Sequence, residues 1–257
     1  MLLLGFQSMT GDINVLVKKE IQSEIQKKEV PVLCYHRIRK ILPTDGENMK
    51  TYSVTPTAFA AQMKSLYDNG FQTILPDQLY NYLKYNEPLP PKPVMITFDD
   101  TREEQYRIGA VELKKYGFKA VFFIMTVSID KQGYMTKSQI KELSENEHVI
   151  GNHSWDHHSV TKYTAEDWNT QLIKPQEQLE KITGKPVNYF SYPFGLWNTN
   201  AISVLKKQNY KLAFQLSDRK MAAESEFTVR RLIIPGGWDA AKMIKNMNDV
   251  FRKTTPK

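Results

Sequence analysis

Short, uninterrupted apolar segments alternate with helix-like segments along most of this chain, and this alternation limits the possible folds more than any other feature. Eight segments are strand-like: PVLCYH (31–36), FQTILP (71–76), VMITFDD (94–100), FKAVFFIM (118–125), HVIGNHS (148–154), YFSYPFG (189–195), KLAFQL (211–216) and VRRLIIP (229–235). Strands buried on both faces have continuous apolar sequences and occur mainly in parallel sheets covered by helices. We therefore predict an α/β fold, a distorted (β/α) barrel of about seven to eight strands, with an open doubly wound sheet as the alternative.

The segments between these strands carry the signals that begin and end helices. Thr55 is predicted to cap a helix that has Pro56 at its first position. Residues 102–116 and 164–183 are also predicted to be helical, with a break or kink at Pro175. No glycine-rich phosphate-binding motif follows any strand, which argues against a nucleotide site.

Length and composition set further limits. The chain has 257 residues, of which 41% are hydrophobic, and this suffices for one large domain with a substantial core. The formal charge of +7 favours anionic neighbours, although a solvated lysine-rich surface is the commoner origin of such a charge. The pattern of basic and aromatic residues does not indicate nucleic-acid binding, and no apolar segment is long enough to span a membrane. The single cysteine, Cys34, excludes an intramolecular disulfide and a cysteine-based zinc site, and we expect it to be buried and inert.

The chain is predicted to divide into an N-terminal segment, residues 1–29, and a folded domain, residues 30–257. INVLVKKEIQSEIQKK (13–28) repeats apolar residues at a spacing of four, which predicts a short amphipathic helix or stalk. The apolar start, MLLLGFQSMTGD, is interpreted either as the remnant of an export signal or as a disordered end.

The strand-like segment VMITFDD ends on two adjacent carboxylates, Asp99 and Asp100. Two neighbouring negative charges repel each other, so a cation, a proton or open water must offset the repulsion. A single aspartate at a strand end would need no such explanation, because it could simply cap the following helix.

The segment HSWDHHS (153–159) contains a second group of candidate residues. His153 and His157 are four residues apart, so in a helical turn both imidazoles would face the same way. Two histidines and one carboxylate, with a fourth position open to water, form a typical catalytic zinc site. One of Asp99 and Asp100 would bind this ion, and the other would accept a proton from the attacking water.

Each of these features alone has a simpler explanation. An aspartate at a strand end is more often a cap, and histidine pairs on loops are often plain surface residues. His36, Asp99, Asp100, His153 and His157 nevertheless all lie at the ends of strand-like segments or just after them, and active sites of (β/α) barrels lie where the strands end. We therefore interpret the five residues as one site.

The order TFDD, then HSWDH, then a Pro-aromatic-Gly turn resembles that of the polysaccharide deacetylases, the NodB-like proteins of carbohydrate esterase family 4. The resemblance covers about residues 30–235 and implies the NodB-like barrel fold. It implies these roles: Asp99 as general base, and Asp100, His153 and His157 as ligands of a divalent metal. His158 is adjacent and is the alternative third ligand. Zn²⁺ is the expected ion, with Co²⁺ and Ni²⁺ as alternatives that the ligands do not distinguish.

The third motif departs from the family pattern, because SYPFG (191–195) stands where Arg-x-Pro-Tyr is usual. The resemblance gives the backbone N–H of Phe194 a place in the oxyanion hole. The arginine that usually orients the base is absent, as in the branch that acts on β-1,6-linked poly-N-acetylglucosamine, which this pattern resembles most. Arg230 or Arg231 could supply its charge, although a structural or exposed arginine is the commoner interpretation. The predicted substrate-binding residues are Tyr192, Pro193, Trp197 and Arg231.

The histidine that serves as general acid in the family is missing from its expected place, because LAFQLSDRK and RRLIIPGGWD contain none. His36 is predicted to replace it, since it would project from another strand end into the same opening. A metal-bound water or protonated Asp99 could also deliver the proton to the leaving amine.

The sequence thus predicts a metal-dependent hydrolase that removes N-acetyl groups from an N-acetylglucosamine-containing polysaccharide and releases acetate. An O-acetyl glycan esterase, and a glycan-binding protein that has lost the general acid, are the alternatives. We expect an acetylated glycan as partner, no nucleic acid, no transmembrane segment and a monomer. The family's habit of working on exported polymers predicts an extracytoplasmic location, which could be periplasmic, cell-surface or secreted.

Overall fold

The structure is a computed structural model that describes residues 28–216 and 220–252. The predicted export-signal remnant and stalk helix lie outside the described residues. Within these two ranges, every helix is too short or too polar to serve as a membrane span.

One parallel sheet forms the centre of the molecule. The strands are β1 (Val32–Tyr35), β2 (Arg37–Ile38), β3 (Ser53–Val54), β4 (Gln72–Thr73), β5 (Pro93–Phe98), β6 (Val121–Ile124), β7 (Val149–Asn152), β8 (Tyr189–Ser191), β9 (Leu212–Gln215), β10 (Val229–Arg230) and β11 (Leu232–Ile233). The sheet order is β10-β9-β8-β7-β6-β5-β1-β11, with β4 beside β5, while β2 and β3 pair separately. All these pairings are parallel, as the continuous apolar segments predicted.

The two edge strands of this sheet are consecutive in the chain, with Arg231 between them. Strand β10 pairs with β9, and β11 pairs with β1 on the opposite edge. The N–H of Arg231 itself donates to the carbonyl of Gln215 at 3.1 Å. The last strand-like segment therefore brings the two edges together into a nearly closed barrel, which confirms the predicted fold class.

Helices cover the outside of the barrel. They are α1 (Glu47–Thr51), α2 (Pro56–Asp68), α3 (Pro76–Tyr85), α4 (Val111–Lys114), α5 (Lys137–Glu145), α6 (Lys174–Thr183), α7 (Thr199–Lys207) and α8 (Ala240–Arg252). Thr55 caps α2 as predicted, because its side chain accepts a hydrogen bond from the N–H of Ala58 at 3.2 Å. The sequence interpretation missed α8, which packs against α2 and buries Met243 and Met247.

Two predicted helices begin with a π-helical turn instead of a regular α-helical one. Residues Gln105–Ala110 precede α4, and residues Asn169–Ile173 precede α6. The second of these turns ends two residues before Pro175, which has no N–H to donate within a helix. The predicted break at Pro175 therefore takes the form of a change in helical pitch.

Side chains inside and outside the barrel form separate apolar clusters. Val32, Met95, Val121, Phe123 and Phe214 pack together in an inner cluster, while alternate residues of the same strands pack toward the helices. Because side chains two residues apart lie on the same face of a strand, Met95, Thr97 and Asp99 share the inner face of β5 and its end. Cys34 is fully buried, as expected.

His148 is buried beside the sheet and not at the strand ends. Its Nδ1 accepts a hydrogen bond from the N–H of Ala120 at 3.1 Å, and its ring meets the Phe122 ring edge-on at 5.4 Å. Burial, with a smaller contribution from the charge of Lys119, lowers the pKa of His148 to about 4. The neutral imidazole is thus part of the packed structure.

We expect His148 to make the fold sensitive to acid. The unfolded chain binds this proton near the ordinary histidine pKa of about 6.5, so acid favours unfolding as the pH falls from there toward 4. The loss in the free energy of unfolding should reach roughly 3 kcal/mol. Urea titrations at several pH values, compared between the wild type and His148→Gln, should show a flatter profile for the variant. Equal profiles would contradict the assignment, and the exposed His158→Gln serves as the control.

Candidate active site

A pocket of about 390 Å³ opens at the carboxyl ends of the strands. Its lining includes His36, Asp99, Asp100, His153, His157 and Phe194. These are the residues that the sequence interpretation placed at strand ends and assigned to metal binding or catalysis. The barrel therefore brings together side chains that are up to 158 positions apart in the chain, from His36 to Phe194.

Asp100, His153 and His157 converge on one point in this pocket. The Oδ1 of Asp100 is 3.6 Å from the Nε2 of His153 and 3.7 Å from the Nε2 of His157. One donor atom from each residue lies within 4.8 Å of the other two. Donors held about 2.0–2.1 Å from a tetrahedral zinc ion lie roughly 3.3 Å from one another, so this spacing suits a single cation.

The tautomer of His153 also fits a metal ligand. Its Nδ1 lies 2.8 Å from the carbonyl oxygen of Ser191, an arrangement in which Nδ1–H donates and the Nε2 lone pair remains free. Nε2 is buried and has no hydrogen-bond partner among the described residues. An unpaired buried nitrogen is costly, and a cation at the convergence point would satisfy it. The donor set and its orientation therefore fit a divalent metal.

Left-handed backbone conformations position these ligands. Asp100 and Thr101 have φ values of 74° and 63°, and Ser154 and His157 have values of 65° and 69°. Such values are uncommon outside glycine and are typical of functional sites where the surroundings fix the backbone. The Ser154 hydroxyl accepts the N–H of His157 at 2.9 Å and so helps to fix the loop. His153 and His157 thus face the same point because of the loop conformation. They do not lie in the helical turn that their spacing suggested.

Asp99 has a different environment from Asp100. Arg231 donates two hydrogen bonds to it, from Nη1 to Oδ1 and from Nη2 to Oδ2, both at 2.7 Å. The Ser191 hydroxyl donates to Oδ2 at 3.1 Å and accepts from Nη2 of Arg231 at 2.7 Å. Asp99 and Arg231 are both almost fully buried. The site thus contains one carboxylate that is free to bind a cation and one that is held by an arginine.

The electrostatics keep both carboxylates ionised. Burial opposes ionisation of Asp99, but the charges of Arg231 and His153 outweigh it and hold the pKa below its usual range. Burial likewise opposes ionisation of Asp100, but His153, His36 and His157 lower its pKa to about 2. Asp99 is therefore available as a proton acceptor at neutral pH.

His36 follows β1 and lines the same pocket. Its Nδ1 is 3.9 Å from the Cys34 sulfur, and its ring packs 4.8 Å from the Tyr52 ring. Burial lowers the pKa of His36 and outweighs the opposing effect of Asp99 and Asp100. At neutral pH the imidazole of His36 is therefore mostly neutral, and it can act as an acid only after it takes up a proton from a neighbouring group.

Phe194 lies at the tip of a tight turn after β8. Its φ of 60° is unusual for an aromatic residue. The residue is 60% exposed, and its ring packs 4.4 Å from the ring of His157. Gly195 follows with a φ of 69°, and a Cβ there would lie 2.4 Å from the Cβ of Leu216. Only glycine fits at position 195, so the turn sets the main chain of Phe194 at the pocket.

Comparison with known proteins places this site in a family. The family model described as "Polysaccharide deacetylase" matches residues 86–213, which contain Asp99, Asp100, His153, His157 and Phe194. The chain belongs to the polysaccharide deacetylase family. It is accordingly an enzyme of the hydrolase class.

Curated relatives match a longer part of the chain than the family model does. The chain is 29% identical over 206 residues to YxkH of Bacillus subtilis (strain 168), covering 80% of this chain and 69% of that protein. It is 27% identical over 227 residues to the poly-beta-1,6-N-acetyl-D-glucosamine N-deacetylase of Staphylococcus aureus (strain MRSA252), covering 79% and 77%.

Solved structures of the family share this barrel. IcaB from Ammonifex degensii superposes with a TM-score of 0.71 and 26% identity, over 85% of this chain and 97% of that one. The deacetylase PplD of Streptococcus pyogenes, solved in complex with acetate, superposes with a TM-score of 0.79 over 85% and 98% of the two chains. At 24% identity, PplD supports the fold alone.

Three of the residues that were predicted to contact the substrate lie outside the pocket lining. Tyr192 is fully buried, and its hydroxyl donates to the carbonyl of Phe227 at 3.1 Å. Pro193 is also buried, and the indole N–H of Trp197 donates to Gln215 Oε1 at 3.1 Å. None of these three side chains is among the residues that line the pocket.

Arg231 needs a further correction, because its side chain is fully buried behind Asp99 and contacts no open space. It is a partner of the predicted base and not a substrate contact. His158 is exposed and packs 6.0 Å from the Tyr163 ring, so it is His157 that joins Asp100. The sequence did contain a signal for Arg231, since a charged residue inside the apolar segment VRRLIIP must find a buried partner.

Proposed function

We propose that this chain is a metal-dependent N-deacetylase of an N-acetylglucosamine-containing polysaccharide, and that it releases acetate. The observation that carries the proposal is the convergence of Asp100, His153 and His157 beside a separate, arginine-held Asp99. One acid, two imidazoles and a spare base in a single pocket suit hydrolysis of an acyl bond by an activated water. The naming of the Staphylococcus aureus relative supports the amino-sugar substrate.

Asp100, His153 and His157 would hold the cation, and we propose Zn²⁺ as the resident ion because this donor set is typical of catalytic zinc. When bound, such a cation polarises the acyl carbonyl and makes deprotonation of water feasible near neutral pH. Co²⁺ and Ni²⁺ would suit the same ligands.

The chain's own residues would supply the remaining chemistry. Asp99, kept ionised by Arg231, accepts a proton as water attacks the acetyl carbon. The backbone N–H of Phe194 donates to the oxyanion that develops, an interaction whose loss typically costs about 2.7–4 kcal/mol. Asp99 then gives up this proton, and His36, whose ring nitrogen lies within 4.8 Å of an Asp99 carboxylate oxygen, passes it to the sugar nitrogen as the C–N bond breaks. Acetate and a free amine result.

The proposal extends to the setting in which the enzyme works. We propose that residues 30–257 form the catalytic domain, that the protein acts as a monomer, and that it works outside the cytoplasm on an exported polymer. The last point rests on the polymer named for the Staphylococcus aureus relative. Fractionation of cells that express the full chain would test the location directly.

Acetate release tests the reaction. Purified protein, analysed for bound metal, would be incubated with matched N-acetylated and O-acetylated oligosaccharides, and free acetate would be measured. We expect release from the N-acetylated substrate. Release from the O-acetylated substrate alone would make the chain an esterase, and binding without release at full metal loading would make it a glycan-binding protein.

Asp100→Asn is expected to abolish metal binding, because the amide is a poorer ligand than the carboxylate and removes the negative charge that lies 3.6 and 3.7 Å from the two histidines. The metal content of the dialysed protein, measured by elemental analysis, should fall from one ion per chain to nearly none. Asp45→Asn, which alters an aspartate that pairs with Arg39 instead, is the control. Metal retained at wild-type stoichiometry in Asp100→Asn would refute the ligand assignment.

A further inference from the structure

Arg102 lines the active-site pocket two residues after Asp100. Neither the predicted catalytic roles nor the metal ligands account for it. Its side chain is half-buried, and its Nε is buried without a hydrogen-bond partner among the described residues. An arginine without acceptors for its N–H groups is unusual, because each buried donor that lacks a partner costs free energy.

Arg102 differs in this respect from the other arginines. Five of the six arginine side chains that the structure describes have a carboxylate oxygen within 4.0 Å: Arg37, Arg39, Arg107, Arg230 and Arg231. Arg102 alone among these six has none. Even the largely exposed Arg107 has a carboxylate partner, Glu103, whereas Arg102 at the active site has none among the described residues.

The position of Arg102 is nevertheless well fixed. Its guanidinium carbon lies 4.3 Å from the centre of the Tyr134 ring, a distance typical of a cation–π contact. Its carbonyl accepts the N–H of Gln105 at 3.0 Å, and the carbonyl of Thr101 accepts the N–H of Met135 at 2.9 Å. The backbone on both sides is therefore held, and the planar group is oriented before any ligand arrives.

The charges around the pocket leave Arg102 uncompensated. Arg231 neutralises Asp99, and Glu104 neutralises the neighbouring Arg37. Asp100 faces His153 and His157, and its charge would be more than matched by a divalent cation. A loaded pocket of this kind has a surplus of positive charge, which favours a ligand that is negative near the reacting group.

We infer that Arg102 is a specificity-determining residue that binds an anionic substituent of the glycan, close to the acetamide that is hydrolysed. This inference rests on the proposed function and adds to it the substrate class, an acidic amino-sugar polymer. The fork of a guanidinium matches the two oxygens of a carboxylate or a phosphate. A carboxylate could come from a lactyl ether or a uronic acid, and a phosphate from a sugar phosphate ester.

Three matched oligosaccharides separate these sources: a neutral N-acetylated one, one with a carboxylate on an adjacent position, and one with a phosphate ester there. The wild-type protein loaded with Zn²⁺ should deacetylate at least one anionic substrate with a kcat/KM about tenfold or more above that of the neutral one. Arg102→Gln should reduce this ratio to near one, while Arg102→Lys should keep part of it. The control Arg107→Gln removes the same charge from the same segment outside the pocket and should keep the full ratio.

Binding provides a readout that does not depend on turnover. Calorimetric titration should show tighter binding of the anionic oligosaccharide than of the neutral one, and Arg102→Gln should remove the difference. Equal affinities in the wild type, or an unchanged ratio in Arg102→Gln, would overturn the role of Arg102. Absence of acetate release from every substrate would instead overturn the proposed function, and the binding difference would still decide the inference. Thermal melting of each variant guards against misfolding.

Discussion

Asp99→Asn is expected to lower kcat for acetate release by about 10²–10⁴-fold while the protein still binds its metal ion. Asparagine keeps the size of the side chain and its contact with Ser191 but cannot accept a proton at neutral pH. Asp100, His153 and His157 remain in place, so metal content by elemental analysis should be unchanged. Steady-state acetate release and metal content should be measured on the same preparation.

A parallel loss of metal and activity in Asp99→Asn would contradict the division of labour between the two aspartates. Asp68→Asn alters an aspartate on α2 that pairs with Lys64, and it should change neither quantity. Asp100→Asn is the informative comparison, because its metal content and its rate of acetate release should fall together. Retention of full activity in Asp99→Asn would exclude Asp99 as the base.

Arg231→Met is expected to lower the free energy of unfolding by about 3–5 kcal/mol, because it leaves the buried Asp99 carboxylate without its paired cation. Urea denaturation would measure this loss. The double variant Asp99→Asn/Arg231→Met should recover part of the stability, since neither partner then leaves an unpaired buried charge. Arg107→Met, which breaks an exposed pair, should change stability by no more than about 0.5 kcal/mol.

Arg231→Met should also change the pH dependence of any activity that remains. Arg231 holds the pKa of Asp99 low, so its removal raises that pKa and moves the acidic limb of the kcat/KM profile to higher pH. A stability loss with an unchanged acidic limb would mean that Arg231 supports the fold only.

Local patterns in the sequence were sufficient for the barrel and for the main members of the site. Continuous apolar segments predicted the parallel strands, and the two carboxylates that end VMITFDD predicted that this strand end carries part of the site. The order of strand ends brought His36, Asp100 and His153 to one opening. Each of these inferences depends on geometry within a few residues, which the sequence expresses directly.

The partners of those residues were less predictable. Arg231 pairs with Asp99 across 132 positions of the chain, and it does so because β10 and β11 join opposite edges of the sheet on either side of it. The same closure makes Arg231 a buried partner of the base, where the sequence suggested a substrate contact. Helix α8 was missed for a related reason, since its place against α2 depends on the completed barrel.

The sequence by itself determined the parallel barrel, the strand ends that carry chemistry and the residue types available for metal binding. Only the tertiary structure decided which histidine joins Asp100, what holds Asp99 and that Arg102 has no acidic partner among the described residues. The physical reason is the distance along the chain over which each effect acts. Propensity and periodicity act over a few residues, whereas the pairing of buried charges depends on which strands close the barrel and on which loops adopt left-handed turns.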